Sequence, residues 1–349
     1  MDRLIRIKHA DRAAYRAAKE RWDSVAKPLG SLGLLEEAIQ RIASIQASAD
    51  IKLDRRTVVV LCADNGVTAE GIAQSDSAVT AICAKGIAEG TSNINALASV
   101  YGADVIAVDL GIARDVDHTK LLDKKIAYGT GNIALGAAMT REEAKTSVSV
   151  GIDLIRDLKS AGTRIVITGE MGIGNTTTSA AVAAVLLDAD PRLVTGRGAG
   201  LSGAGLERKI AVVKRAIALN RPDPDDPIDV LSKLGGFDIG GMTGLYLGGA
   251  IYGVPVVIDG VISAVAALLA YRLAPIAAEY MLASHMSDEP AAKMLLQKIG
   301  LKPPIRAGLR LGEGTGGVLL LPLLDGALAV YQNAHQFDEV GIERYQELK

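Results

Sequence analysis

Five carboxylates stand where an α/β protein could use them for acid–base work. Asp64, Asp109, Glu170 and Asp259 each close an apolar run, and each lies one to three residues from a glycine. Glu313 sits in another glycine loop, Gly312-Glu313-Gly314-Thr315-Gly316-Gly317. In open parallel sheets, ligands bind outside the carboxyl ends of the strands, so acids placed there converge on one crevice. Such an acid also serves to cap the helix that follows it, and Asp109 is read in that structural way. Glu170 and Glu313, set among glycines that let the backbone approach a ligand, are read as functional.

Two glycine loops could hold an anion. Gly172-Ile173-Gly174-Asn175-Thr176-Thr177-Thr178 follows an apolar run and opens an Ala-rich helix. Free N–H groups and the dipole at a helix N-terminus favour a phosphate, and threonine hydroxyls add donors. The loop has no Gly-Lys-Ser/Thr and no full G-x-G-x-x-G, so neither nucleotide fingerprint is present. Thr195-Gly196-Arg197-Gly198-Ala199-Gly200-Leu201 precedes a second helix carrying Arg208 and Lys209. Lys209 could reach a phosphate as a point charge, or stand solvated at the surface. Two adjacent anion-friendly loops point to a phosphorylated small molecule. The histidines His9, His118, His285 and His335 are scattered without metal-site spacing. No Ser-His-Asp or Cys-His set can be argued.

These residues need a scaffold, and the chain supplies the pattern of one. Thr57–Cys62, Asp104–Val108, Arg164–Thr168 and Val254–Ile258 are continuous apolar, β-branched runs, as expected of strands buried on both faces. Ala78–Tyr101, Thr178–Leu187 and Leu206–Leu219 read as the helices between them. The alternation predicts a mostly parallel sheet covered on both sides. Ala10–Trp22 and Leu34–Ala47 read as helices before the first strand, separated by a Pro/Gly turn at residues 27–33. Arg221–Pro227 is a polar, Pro-rich loop within the α/β pattern.

Composition bounds the rest. The 349 residues are 49% hydrophobic and 22% charged with a net charge of -2, which gives no general pull toward nucleic acid or an anionic membrane. Only 3% are aromatic, so Ala, Val, Ile and Leu must fill the core. Cys62 and Cys83 make no disulfide framework and read as small apolar residues. The charged N-terminus lacks an apolar signal region. The apolar stretch Val318–Val330 is short and interrupted for a membrane span. The expectation is a cytoplasmic protein.

With these motifs in order, the chain resembles the nicotinate-nucleotide–dimethylbenzimidazole phosphoribosyltransferases, the CobT family of cobamide biosynthesis. The resemblance rests on Lys27-Pro-Leu-Gly-Ser-Leu-Gly33, Asp64-Asn-Gly66, Ser77-Ala-Val-Thr80 and Gly169-Glu-Met-Gly-Ile-Gly-Asn-Thr176. It continues through Thr195-Gly-Arg-Gly198, Gly235-Gly-Phe-Asp-Ile239, Asp259-Gly260, Ala283-Ser-His285, Ser287-Asp-Glu-Pro290 and Leu311-Gly-Glu-Gly-Thr-Gly316. It implies a Rossmann-like, mostly parallel sheet flanked by helices, with a small helical domain built from N- and C-terminal segments. The implied division is residues 1–50, a catalytic 51–320, and 321–349 joining the small domain. It also implies a dimer, of identical or homologous chains.

The implied reaction moves phosphoribose from nicotinate mononucleotide to a lower-ligand base, inverting the anomeric centre and releasing nicotinate. By motif, Glu313 resembles the base that deprotonates the acceptor, and Glu170 the second acid at the reacting centre. Gly172, Gly174, Asn175, Gly200, Lys209 and Ser287 resemble phosphoribose contacts, and Asp259 an acid near the sugar. Ser77, Ile82, Met171 and Leu311 fall at the implied acceptor pocket. The pyridinium leaving group is already activated by its charge, so no cofactor or metal is required. Holding the two substrates in line and a positioned base supply the rate. Burial of Glu313 in an apolar pocket is expected to raise its pKa.

The sequence departs from the family pattern around the acceptor. Where many members read Val-Thr-x-Gln-Met, this chain has Val79-Thr80-Ala81-Ile82-Cys83. Asp-Gly-Phe becomes Asp259-Gly260-Val261, and Asp-His-Gly becomes Asp64-Asn65-Gly66. A less polar pocket suits a phenol or p-cresol as acceptor, whereas neutral drift would leave 5,6-dimethylbenzimidazole in place. Two rival readings are a nucleotide-dependent oxidoreductase or hydrolase on the same sheet, and a non-catalytic subunit supporting an active homologue.

Overall fold

Six strands form one sheet in the computed structural model, which describes residues 2–346. They are β1 (Arg56–Ala63), β2 (Ala103–Gly111), β3 (Leu121–Asp123), β4 (Ile165–Met171), β5 (Val256–Ile258) and β6 (Met281–Ala283). Their order is β3-β2-β1-β4-β5-β6, and every pairing is parallel. This is the Rossmann order, in which the direction of winding reverses between the first and fourth strands. The crevice at that reversal lies between β1 and β4, where Leu61 is in register with Glu170 and Cys62 with Met171.

The strand residues explain the layering. In β1, Val59, Leu61 and Ala63 enter one core while Val58, Val60 and Cys62 enter the other. Side chains alternate between the faces of a strand, so a run apolar at every position requires cover on both sides. One face is covered by the helices Arg141–Ser160, Asn175–Leu187, Phe237–Tyr252 and Val261–Leu273. The other is covered by Ala78–Glu89, Thr315–Asn333 and the N-terminal helices Arg12–Ser24 and Leu34–Gln46.

The helix Phe237–Tyr252 escapes a propensity reading because it holds Gly240, Gly241, Gly244, Gly248 and Gly249. Each glycine costs a helix about 1 kcal/mol relative to alanine. Here the missing side chains allow contact with Arg141–Ser160: a Cβ on Gly151 would lie 2.7 Å from the Leu245 nitrogen. The gain is positional, since the first turn of this helix carries Asp238 to the back of the crevice.

The expected helix Ala78–Tyr101 is two. Gly90, with φ 87°, ends Ala78–Glu89, and a Ser92/Asn95 capping box starts Asn93–Val100. The break matters to the site, because it presents a fresh helix N-terminus there. The strands β3 and β6 have three residues each, too few for periodicity to show.

The terminal segments meet each other. Trp22 packs edge-on against Tyr331 with centroids 5.2 Å apart, and Ala26 N donates to His335 O at 2.9 Å. Position 320 falls within the helix Thr315–Asn333, so one continuous helix runs from the glycine loop of Glu313 to the terminal packing. That helix is long and apolar enough to cross a bilayer, but half of it is buried in the protein.

Candidate active site

A cavity of about 250 Å³ opens at the carboxyl ends of β4 and β5. Glu170, the penultimate residue of β4, and Glu313 both line it. So do Gly172, Asn175, Asp259 and Ser287. A smaller space of about 90 Å³ shares Gly172, Asn175 and Gly198 with it and reaches Gly174, Arg197 and Lys209. The two glycine loops read from the sequence thus border two adjoining spaces with a shared wall.

Glu313 is held by its backbone and by a helix end. Its φ of 60° is left-handed, between Gly312 at 87° and Gly314 at 89°. A non-glycine residue there is strained by about 1–2 kcal/mol, and such strain collects at functional sites. Its Oε2 accepts from Ile94 N, in the first turn of Asn93–Val100, at 3.2 Å. Asp259 anchors the same loop: Oδ2 accepts from Gly314 N at 3.1 Å and Oδ1 from Gly317 N at 2.9 Å. Asp259 therefore caps the helix that follows Glu313 and fixes the Glu313 loop from behind.

Glu170 is the dry acid. It is buried, and its Oε2 accepts from Asn175 Nδ2, which also donates to Asp238 Oδ2 at 3.0 Å. Burial pushes the Glu170 carboxyl well above the usual range, and the charges of Asp238, Asp259 and Glu313 push the same way. Burial likewise raises Asp238 to about 6. The apolar burial expected for Glu313 is found at Glu170 instead, while Glu313 is half-buried. Close approach explains one glycine: a Cβ on Gly312 would come 2.6 Å from Glu170 Oε1.

Lys209 is the buried cation bordering the site. It is only 1% exposed, and its Nζ donates to Thr176 Oγ1 at 2.7 Å. Among the described residues it forms no ion pair. Burial lowers its pKa to about 8, opposed by the charge of Glu289. A lysine buried beside an uncapped helix N-terminus, at Gly174, is arranged for an anion. In the unliganded loop Gly198 N donates to Glu289 Oε1 at 3.2 Å, so a carboxylate occupies part of that cradle.

The phosphoribosyltransferase family model matches residues 7–342. The dimethylbenzimidazole phosphoribosyltransferase of Acetivibrio thermocellus is 45% identical over 328 residues, 94% of this chain and 93% of that one. That of Clostridium acetobutylicum is 41% identical over 350 residues, covering 100% and 99%. The crystal structure of CobT from Thermus thermophilus superposes with a TM-score of 0.90 at 38% identity, covering 95% of this chain and 100% of that one. The chain belongs to the nicotinate-nucleotide–dimethylbenzimidazole phosphoribosyltransferase family. It is a phosphoribosyltransferase, and the resemblance read from its motifs holds over the full length.

Not every residue singled out by resemblance to this family lies in the cavity. Met171 and Leu311 line it, and Leu311 is 58% exposed at its mouth. Ser77 sits at the N-cap of Ala78–Glu89, and Ile82 on that helix is 68% exposed; neither lines the cavity. Gly200 lies in the loop before the Lys209 helix, where its carbonyl accepts from Gln74. Asp109 pairs with Lys125 at 2.9 Å and accepts from Ile112 N, a structural role. Four lining or supporting residues went unread: Asp238, His285, Glu289 and Arg310. Arg310 lines the cavity and forms no ion pair among the described residues. The other three fall within the motifs Gly235-Gly-Phe-Asp-Ile239, Ala283-Ser-His285 and Ser287-Asp-Glu-Pro290, but nothing in the spacing singled them out.

Proposed function

We propose that this enzyme transfers the phosphoribosyl group of nicotinate mononucleotide to the ring nitrogen of 5,6-dimethylbenzimidazole, giving an α-riboside 5′-phosphate and nicotinate. The observation that carries the reading is a cavity lined by Glu170 and Glu313 that shares a wall with the space beside a buried Lys209, which has no ion-pair partner among the described residues. Lys209, Thr176 and the amides after Gly174 hold the phosphate. Glu170, ionised, faces the positive pyridinium and the cationic character that develops at the anomeric carbon. Nicotinate leaves with the bonding pair, the acceptor nitrogen attacks the opposite face, and Glu313 takes the proton from the other ring nitrogen. Holding both substrates across the cavity supplies the entropic part of the rate. Met171 and Leu311 give the acceptor ring its apolar wall.

The names of the curated relatives support this donor and this acceptor. A phenolic acceptor draws little from the structure, since Ile82, the replacement that suggested it, lies on the surface outside the cavity. The test is nicotinate release from nicotinate mononucleotide with a panel of 5,6-dimethylbenzimidazole, benzimidazole, adenine, phenol and p-cresol. Release only with an acceptor, and best with dimethylbenzimidazole, supports the proposal. A preference for phenols redirects the acceptor assignment. No turnover with any acceptor by the chain alone favours a supporting subunit.

A further inference from the structure

Asp238 lies behind Glu170 rather than on the cavity wall, and it is fully buried. The nitrogen Nδ2 of Asn175 donates to Glu170 Oε2 and to Asp238 Oδ2, so one amide joins two carboxylates. Asp238 Oδ1 is buried with no hydrogen-bond partner. The charged groups that act on the pair are themselves acids: Asp259 and Glu313 on Glu170, and Asp64 on Asp238. Among the described residues neither member of the pair forms an ion pair. Two carboxylates in a dry pocket, without a cation, do not both ionise at neutral pH.

We propose that Asp238, acting through Asn175, is a positioning residue that sets the pH at which Glu170 becomes a carboxylate able to face the cationic donor. The inference rests on the assignment of Glu170 made above. When the pyridinium arrives, the Glu170 carboxyl releases its proton to solvent and keeps the electron pair, and no other bond changes. Donor binding then releases a proton that binding of the sugar phosphate alone does not. The raised carboxyls of Glu170 and Asp238 agree with this arrangement.

Asp238→Asn tests it, because the amide keeps an acceptor for Asn175 and removes the charge. The acid limb of kcat/KM for nicotinate mononucleotide should move down by about one pH unit or more. At the wild-type inflection, where the wild type runs at half its plateau, a one-unit shift puts the variant at about 90% of its own, and the advantage approaches tenfold only well below that pH. A readout independent of turnover is thermal unfolding. Carboxyls raised in the folded state add stability that is present at low pH and lost as pH rises through their folded values. The Tm of Asp238→Asn relative to wild type should therefore climb between pH 5 and 8. An unmoved acid limb with a pH-independent Tm difference overturns the proposal and leaves Asp238 a packing residue. A climbing Tm difference with an unmoved limb also overturns it, and Glu170→Gln tells why. Full activity in Glu170→Gln faults the assignment of Glu170; loss of activity faults the link to Asp238 alone. Should Asp238→Asn not fold, calorimetry of the wild type in buffers of different ionisation enthalpy decides. Nicotinate mononucleotide should release more protons than ribose 5-phosphate near pH 6, and equal release refutes the inference.

Discussion

Replacing Lys209 with methionine should stabilise the free enzyme while weakening its hold on the donor. The lysine is 1% exposed, forms no ion pair among the described residues, and is depressed from 10.5 to about 8 by burial. At 1.36 kcal/mol per pH unit, that depression means about 3 kcal/mol against the charged form in the empty site. Methionine has similar length and no charge, so it removes most of that penalty. With an unfolding entropy near 2.1 cal/mol/K per residue, 3 kcal/mol over 349 residues is about 4 °C in Tm. The pH dependence has a definite sign. A depressed lysine binds fewer protons folded than unfolded between about pH 8 and 10.5, so the wild type gains stability across that range. The Tm advantage of Lys209→Met should therefore shrink as pH rises from 8 to 10. Hydrogen bonds to charged groups contribute about 1.5–3 kcal/mol, so KM for nicotinate mononucleotide should rise by roughly 10- to 150-fold. Scanning calorimetry from pH 7 to 10, with and without donor, reads both effects. A variant that loses Tm and keeps its donor KM would refute the assignment of Lys209 as an anion-binding cation.

Glu313→Gln should bind donor normally and lose roughly 10²- to 10⁴-fold in kcat, the usual share of a positioned general base; unchanged steady-state kinetics would remove Glu313 from that role. Gly312→Ala should lower both kcat and Tm, since its φ is 87° and a Cβ would meet Glu170 Oε1 at 2.6 Å; circular dichroism melts and initial rates check it. Glu289→Gln should tighten inorganic phosphate binding, because Glu289 now accepts from Gly198 N and places a negative charge beside Lys209. Isothermal titration with phosphate would show weaker binding if Glu289 instead serves to hold the loop open.

The parts of the fold visible in the sequence are those whose cause is local. The strands at residues 57 and 164 declare themselves because both faces are buried and nearly every position is apolar, and the strand at 104 does so through its buried second half, residues 107–111. The first glycine loop declares its helix because Gly174 has no Cβ to resist φ 95°. What failed to show depends on distant partners. The helix Phe237–Tyr252 is a poor helix by composition, and it exists because Arg141–Ser160 packs against its glycines. Glu313 and Glu170 could be named from their glycine settings, but which of the two is dry could not. That distinction is made by Asn175, Asp238 and the N-terminus of Asn93–Val100, brought together only by the fold. Ile82, which the motif comparison singled out, has an exposed side chain outside the cavity, a placement that its position in the motif does not show.

The distribution of charge across the site matches the donor and not the product. At one end lie Lys209 and a helix N-terminus, and at the other Glu170 and Glu313 with Asp238 and Asp259 behind them. In nicotinate mononucleotide the phosphate lies at one end and the pyridinium nitrogen at the bond that breaks, with the ring carboxylate beyond it, so Lys209 suits the phosphate and Glu170 the positive charge at the ring nitrogen. Once nicotinate has left and Glu313 has taken the acceptor's proton, the new riboside has a neutral ring and keeps only the phosphate. The attraction at the acidic end is gone, while desolvation of the acids there remains unfavourable. On the proposed mechanism, deprotonation by Glu313 would complete the chemistry and weaken the grip on product in one step. On this account the acids behind Glu170 would favour turnover by favouring positive charge beside Glu170; among the described residues neither Glu170 nor Asp238 forms an ion pair, while Asp259 lies beside His285.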